Sequence, residues 1–385
     1  MNVRPKYGYS VVSAQGSSFA EACDKVVSTV AGLAGTLVRV VFFGDPADRA
    51  EYVRHLGIIE KTLEKRFGDS RPVFSYVPQP PMGGSVAAEC HILDDDSATV
   101  IYKSVAAERY IVVECGSFRE IIAGGLRGDI HAPLKEQCEK LFSSASGILS
   151  AEGMVTDDIV RQWNYIEDIT GFVGEYQNYQ VFNDARTRFY ESGEWPSGYP
   201  AATGIGAGPC GVVVDFNAVR GGDVQTLPLD NGLQVPAHDY SQNVLLGAED
   251  GYFRTRTTPK FERGKAVLSR GSLMSYISGT ASIRGEKSVG AGDVIAQTVT
   301  TMENIDYLVS PENLARYGAT VSVGAPHYDL LRVYVKRRED MPAVRDYMSE
   351  RYPMTSLVFL NTDVCRSELL VEIEGVASYE NEKHN

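Results

Sequence analysis

The sequence predicts an α+β fold in two domains. At 385 residues the chain exceeds what one ordinary hydrophobic core organises, so two domains are the default. Short apolar runs bounded by glycine and proline alternate with helical patterns, which argues for mixed sheets packed by helices. No GxGxxG or GxxxxGKS element joins a strand to a helix, so nothing is built to cradle a nucleotide phosphate.

The elements follow in order. Leu37 to Gly44 (LVRVVFFG) reads as a strand and Ala47 to Arg66 as a helix, with Asp45-Pro46 between them. Ala98 to Tyr102 and Tyr110 to Cys115 read as strands, and Pro133 to Leu149 as a helix with Leu134, Cys138, Leu141 and Phe142 on one side. The acidic segment Ala151 to Asp158 is expected to link the halves, giving domains of 1–155 and 156–385. A helical stretch to about Tyr190, a Pro/Gly-rich loop from Trp195 to Pro209 and a strand from Gly211 to Phe216 come next. Gly221 to Tyr252 is polar and turn-rich, with no element assigned. Beyond Lys265 the pattern gives strands at 266–269 and 273–283, a helix at 293–308, a strand at 328–336, a helix at 342–352, and strands at 356–362 and 368–377.

Composition excludes several classes. Hydrophobic residues make up 43% and charged residues 23% of the chain, as in a soluble globular protein. No window approaches the ~20 apolar residues of a membrane span, and MNVRPKYGYS lacks a secretory apolar core, so a cytoplasmic address is expected. A net charge of -13, spread along the chain, opposes nucleic acid and anionic lipid. An anionic substrate would have to be held by local arginines. The six cysteines include no CxxC pair, which disfavours a disulfide framework, and read as buried thiols. His55, His91, His131, His238, His327 and His384 have no ligand spacing, so no metal is expected.

Five places are weighed for chemistry. From Glu175 to Tyr190, helical spacing aligns Tyr179, Asn183, Arg186 and Tyr190 in one stripe beside an apolar stripe of Phe182, Ala185 and Phe189. Arg186 would suit a carboxylate through two parallel charge-assisted hydrogen bonds, or would pair with a structural acid. In the last strand, LLVEIEGVA, alternation puts Leu370, Glu372, Glu374 and Val376 on one face. On a half-buried face a carboxyl loses solvation, its pKa climbs toward neutrality, and it can serve as a general acid; on an open edge it is a solvated carboxylate. Gly279, inside a strand, marks a bulge or a close approach to the backbone. Cys365 has no nearby histidine and reads as a soft pocket wall rather than a nucleophile. Arg332 follows an apolar run and would point inward. No GxSxG elbow supports serine catalysis.

The C-terminal motifs SGTASI, GDVIAQTVTTMENI, LRVYV and LLVEIEG resemble, in that order, the RidA/YjgF superfamily over roughly 110 residues, a domain length. Imine-deaminating members carry an arginine before the last strands; here Tyr352-Pro353-Met354-Thr355-Ser356-Leu357 has none, which argues against that activity. Together with WNYI (163–166), QNYQVFNDARTRFY (177–190), PAATGIGA (200–207) and CRSELLVEIEG (365–375), the chain resembles the chorismatase family from about Trp163 to Ser378 and, more weakly, upstream. The resemblance implies two RidA/YjgF-like, chorismate-mutase-like domains. It further implies chorismate as substrate, release of its enolpyruvyl side chain as pyruvate, and no cofactor or metal. On the family pattern Glu372 is the catalytic acid, Arg186 and Arg332 hold the two substrate carboxylates, and Tyr179 and Tyr190 line the ring. Gly279 and Cys365 match the type that forms 3-hydroxybenzoate; 4-hydroxybenzoate, a hydrolytic diene product and a non-catalytic carboxylate-binding role stay open. Superfamily relatives are often trimers, so a homo-oligomer is expected, or a monomer whose two domains supply the interface internally.

Overall fold

The computed structural model of the chain describes residues 5–269, 271–319 and 323–381; His384 lies outside them. The architecture is α+β, built on three mixed sheets. The first has four strands, ordered Tyr7–Ala14, Val86–Leu93, Thr36–Gly44 and Val73–Pro78. The second has six, ordered Ala201–Ala207, Ile159–Glu167, Val212–Arg220, Phe118–Arg127, Glu108–Cys115 and Thr99–Val105. The third also has six: Val224–Leu229, Gly264–Ser269, Ser272–Ala281, Val371–Asn381, Val323–Val335 and Ser356–Asn361.

Each sheet contains one parallel pair joined through a helix. Arg49–Phe67 crosses between 36–44 and 73–78, Asn178–Tyr190 between 159–167 and 201–207, and Met341–Arg351 between 323–335 and 356–361. A parallel pair cannot be closed by a hairpin, so each crossover needs its helix. Local capping marks the first of these helices, where Asp48 Oδ1 accepts from the Glu51 amide at 2.8 Å, and also the helix Val294–Leu308, where Asp293 Oδ1 accepts from the Ala296 amide at 2.9 Å. Among the described residues no helix is long and apolar enough to cross a membrane.

Two expectations are corrected. Ile159–Glu167 is a strand, not the start of a helix; eight of its nine residues are buried, so the alternation that marks a half-exposed strand is absent. The Pro/Gly-rich loop contains the strand Ala201–Ala207, whose glycines serve close packing. A Cβ at Gly204 would stand 2.8 Å from the Tyr179 ring, and one at Gly206 2.6 Å from the Asp363 carbonyl. The strand Val224–Leu229 opens the unassigned segment.

The second sheet takes strands from both sides of the boundary expected at 155/156. The core around Val40, Phe42 and Ile59 also includes Trp163, Tyr334, Val358 and Leu360. Ser356 Oγ donates to the Tyr9 carbonyl at 2.9 Å, and the Met82 amide to the Phe359 carbonyl at 2.9 Å. The first sheet is thus fastened to the edge of the third.

Candidate active site

The closing strand Val371–Asn381 is central in the third sheet, and its two faces differ. Val371 and Ile373 join Val333 and Met302 in the core beneath the helices. Glu372 and Glu374 point to the opposite face, where they meet Ala201–Ala207 of the second sheet; they are 4% and 1% exposed. Gln297, on the Val294–Leu308 helix, fixes the entry to this strand by accepting from the Leu370 amide at 2.8 Å.

The two carboxylates have unlike surroundings. Glu374 faces Arg332 across the strands and pairs with it at 2.9 Å. It also accepts from Tyr334 at 2.8 Å, and from Arg161 and Thr203. Glu372 has a contact from Cys365 Sγ at 4.0 Å and no ion pair among the described residues. Burial, then the charge of Glu374, raises its pKa to about 8 against the weaker pull of Arg263 and Arg161. Glu374 is therefore surrounded by cations and hydroxyls, while Glu372, two residues away, keeps its proton at neutral pH.

Glu372 lines a cavity of about 610 Å³ together with Tyr179, Asn183, Arg263, Gly279 and Cys365. Opposite Glu374 the Ser272–Ala281 strand carries an extra residue, since the register shifts between Ile277 and Thr280. The bulge expected at Gly279 is present, and so is the close approach: a Cβ there would lie 2.1 Å from Glu372 Oε1. Cys365 is a wall of this cavity; burial, then the charge of Glu372, pushes its thiol up to about 12, so it is no nucleophile near neutral pH. The remaining five cysteines are buried.

Arg186 is fully buried and is not itself among the residues lining the cavity, which it reaches through Asn183. Its Nη2 donates to Asn183 Oδ1 at 2.7 Å, while Nε and Nη1 have no hydrogen-bond partner. No carboxylate among the described residues pairs with it, so the alternative of a structural acid is not realised. Arg263, which sequence reasoning missed, is 3% exposed. Its Nη2 donates to the Val235 carbonyl at 3.0 Å and the Tyr240 hydroxyl at 2.5 Å, leaving Nε without a partner. Buried guanidinium groups with unmet donors are costly unless an anion completes them. The signal for Arg263 in sequence is slight: it sits one residue before the Gly264–Ser269 strand, after an unassigned segment.

Two expected site residues lie elsewhere. Arg332 spends its donors on Glu89, at 2.8 and 2.6 Å, on Tyr165 at 2.6 Å and on Tyr334 at 3.2 Å, and does not line the cavity. Burial opposes the charge of Glu89, but Arg332 and His91 hold that carboxyl well below the usual range. Tyr190 donates to Gln162 Oε1 at 2.7 Å and packs on Tyr199 and Trp195, away from the cavity lining. The segment left unassigned in sequence supplies part of the wall, with Tyr240 and residues 243–246 over the cavity. It is tied down by the Ala248 amide to the Glu175 carbonyl at 2.8 Å and by Ser241 to Glu286 at 3.0 Å.

The arrangement offers a protonated carboxyl and the Arg263 guanidinium at a cavity for a small anionic molecule, with the Arg186 guanidinium behind Asn183, both with donors to spare. Residues 104–218 match the family model described as chorismatase FkbO/Hyg5-like, N-terminal. A Streptomyces hygroscopicus protein named 3-hydroxybenzoate synthase is 36% identical over 226 residues, 57% of this chain and 63% of that one. A Streptomyces rapamycinicus protein named chorismatase is 35% identical over 57% of this chain and 64% of its own length. The matches thus span less than two thirds of these relatives. A chorismatase crystal structure at 1.08 Å resolution superposes with a TM-score of 0.72 at 22% identity, covering 98% of this chain and 99% of that one, which is a likeness of fold.

Proposed function

We propose that this chain, a member of the chorismatase family, cleaves chorismate to pyruvate and a hydroxybenzoate. The observation that carries the reading is a carboxyl kept neutral at Glu372 in a cavity lined by Arg263 and by Asn183, the partner of Arg186, with unmet donors on both arginines. Chorismate brings two carboxylates and an enol ether whose methylene carbon accepts a proton. Arg186 and Arg263 would each take one carboxylate, with Tyr179 against the ring. This gives Arg263 the place that the family pattern suggested for Arg332.

The reaction begins when Glu372 delivers its proton to the methylene carbon. The carbon–carbon π pair forms the new C–H bond, and the cation left behind is shared with the ether oxygen. Glu372, now an anion, opposes that cation across a cavity from which water is largely displaced, where charge interactions are strong. Water adds to the cation to give a hemiketal, or the neighbouring ring hydroxyl adds to give a cyclic ketal; the nucleophile's proton returns to Glu372, and cleavage of a carbon–oxygen bond of the adduct releases pyruvate. If the ring then aromatises, chorismate divides into hydroxybenzoate and pyruvate with no atoms added; the hydrolytic alternative takes up one water and leaves a dihydroxycyclohexadiene carboxylate.

We favour 3-hydroxybenzoate as product. Gly279 and Cys365 both line the cavity, as the resemblance to that type requires, and one relative bears the corresponding name. The test is incubation with chorismate, with pyruvate read through lactate dehydrogenase and the aromatic product by chromatography against both hydroxybenzoates and the diene. Folded protein that releases no pyruvate above the uncatalysed background rejects the proposal.

A further inference from the structure

We infer that Thr203 is a positioning residue for the proton donor, holding the Gly279 bulge and the charge of Glu374 in fixed relation to Glu372. The inference rests on the proposed role of Glu372. Thr203 lies on the Ala201–Ala207 strand and is 1% exposed. Its hydroxyl has one donor and two acceptor positions, and all three are used: it donates to Glu374 Oε2, and accepts from Arg161 Nη2 at 2.8 Å and from the Gly279 amide at 2.9 Å.

The last of these bonds is the informative one. Where a strand bulges, the extra residue loses its ladder partner and its amide needs another acceptor. At Gly279 that acceptor comes from a different sheet. The same residue is the one whose missing side chain makes room for Glu372 Oε1, and Thr203 Cγ2 would lie 2.9 Å from a Cβ there. One hydroxyl therefore sets the backbone against which the acid sits, and also binds the carboxylate whose charge helps keep that acid protonated. The other charged and titratable groups acting at this point are Arg263, Arg161, Cys365 and Tyr179. None of them contacts both the bulge and Glu374.

The test compares Thr203→Val, which keeps the shape and removes the hydroxyl, with Thr203→Ser, which keeps the hydroxyl. In Thr203→Val, kcat should fall roughly ten- to a hundredfold, a part of what a positioned acid supplies, with KM for chorismate within about twofold. The alkaline limb of its rate profile should move to lower pH, because a loosened carboxyl gains water and gives up its proton sooner. Thr203→Ser should recover kcat to within about threefold of wild type. Wild-type kcat and limb in Thr203→Val overturn the inference, as does a serine variant no better than valine, or a rise in KM with kcat intact. If circular dichroism shows Thr203→Val unfolded, Thr203→Ala is read in the same assay by the same criteria. Should the wild-type chain prove inactive toward chorismate, the proposed reaction falls. The inference is then decided by carbon-13 NMR titration of the Glu372 carboxyl, assigned with Glu372→Gln. A midpoint lowered in Thr203→Val and restored in Thr203→Ser supports it, and an unmoved midpoint defeats it.

Discussion

Gly279 and Glu372 occupy one shared volume, since a Cβ at position 279 would stand 2.1 Å from Glu372 Oε1. Gly279 is not among the glycines with positive φ, so the demand for glycine here is one of space. Gly279→Ala should displace the carboxyl and lower kcat about ten- to a hundredfold, because small misplacements of a catalytic group are expensive. Steady-state pyruvate release measures this, and an alanine variant with wild-type kcat would show that the carboxyl can move without loss.

Glu372→Gln removes the proton while keeping the shape. Turnover should fall by at least ~10²-fold. Thermal unfolding of the same variant should occur at or above the wild-type temperature, because a desolvated acid has been replaced by an amide that never ionises.

The pH dependence has a definite sign. Glu372 binds its proton more tightly folded, with a pKa of about 8 against 4.5, so stability from this group is complete below about 4.5 and is lost as pH rises through about 8. The whole effect is no more than about 5 kcal/mol. Activity should fade over the alkaline end of the same window, as the donor loses its proton. Urea unfolding from pH 5 to 9 should show a decline that is flattened in Glu372→Gln; parallel curves for the two proteins would be evidence against it.

Arg186→Met separates binding from stability. It deletes a buried charge that no acid neutralises, so folding stability should hold or improve. KM for chorismate should rise about thirty- to a thousandfold through loss of a charge-assisted contact of roughly 2–4 kcal/mol. Calorimetry with chorismate and thermal melts together make the check; loss of stability with unchanged KM would assign Arg186 to the scaffold.

Arg332→Met should behave in the opposite way. It leaves Glu89 and Glu374 buried without their shared partner, and removing one side of such a pair destabilises by about 3–5 kcal/mol. Chemical denaturation would register this as an earlier midpoint, and a variant as stable as wild type would argue that the pair is dispensable.

Legibility in the sequence varied with how local each signal is. The closing strand was readable because LLVEIEG alternates, and Gly279 because a glycine in a β-rich run has few explanations. The helix bearing Tyr179 and Arg186 showed its two stripes. Ile159–Glu167 was misassigned because burial on both faces erases periodicity, and the Tyr7–Ala14, Phe19–Val30, Val73–Pro78, Val86–Leu93 and Phe118–Arg127 elements were left unassigned. For Arg332 the inward direction was right and the partner was not. Glu89 is 243 positions away, a separation that no local pattern conveys. Arg263 was invisible for the same reason, since what marks it is a donor left over after tertiary contacts form.

The tie between Glu89 and Arg332 makes residues 156–385 a poor candidate for transplantation. A fragment begun at residue 156 would keep Glu372, Arg186 and Arg263, yet it would emerge with Arg332 deprived of Glu89, with Glu374 as its remaining anion, and with Val358 and Leu360 open to water. Supplying the missing portion in trans should restore solubility and turnover together, because the first sheet acts as a built-in counterpart that the pocket cannot be carried away from.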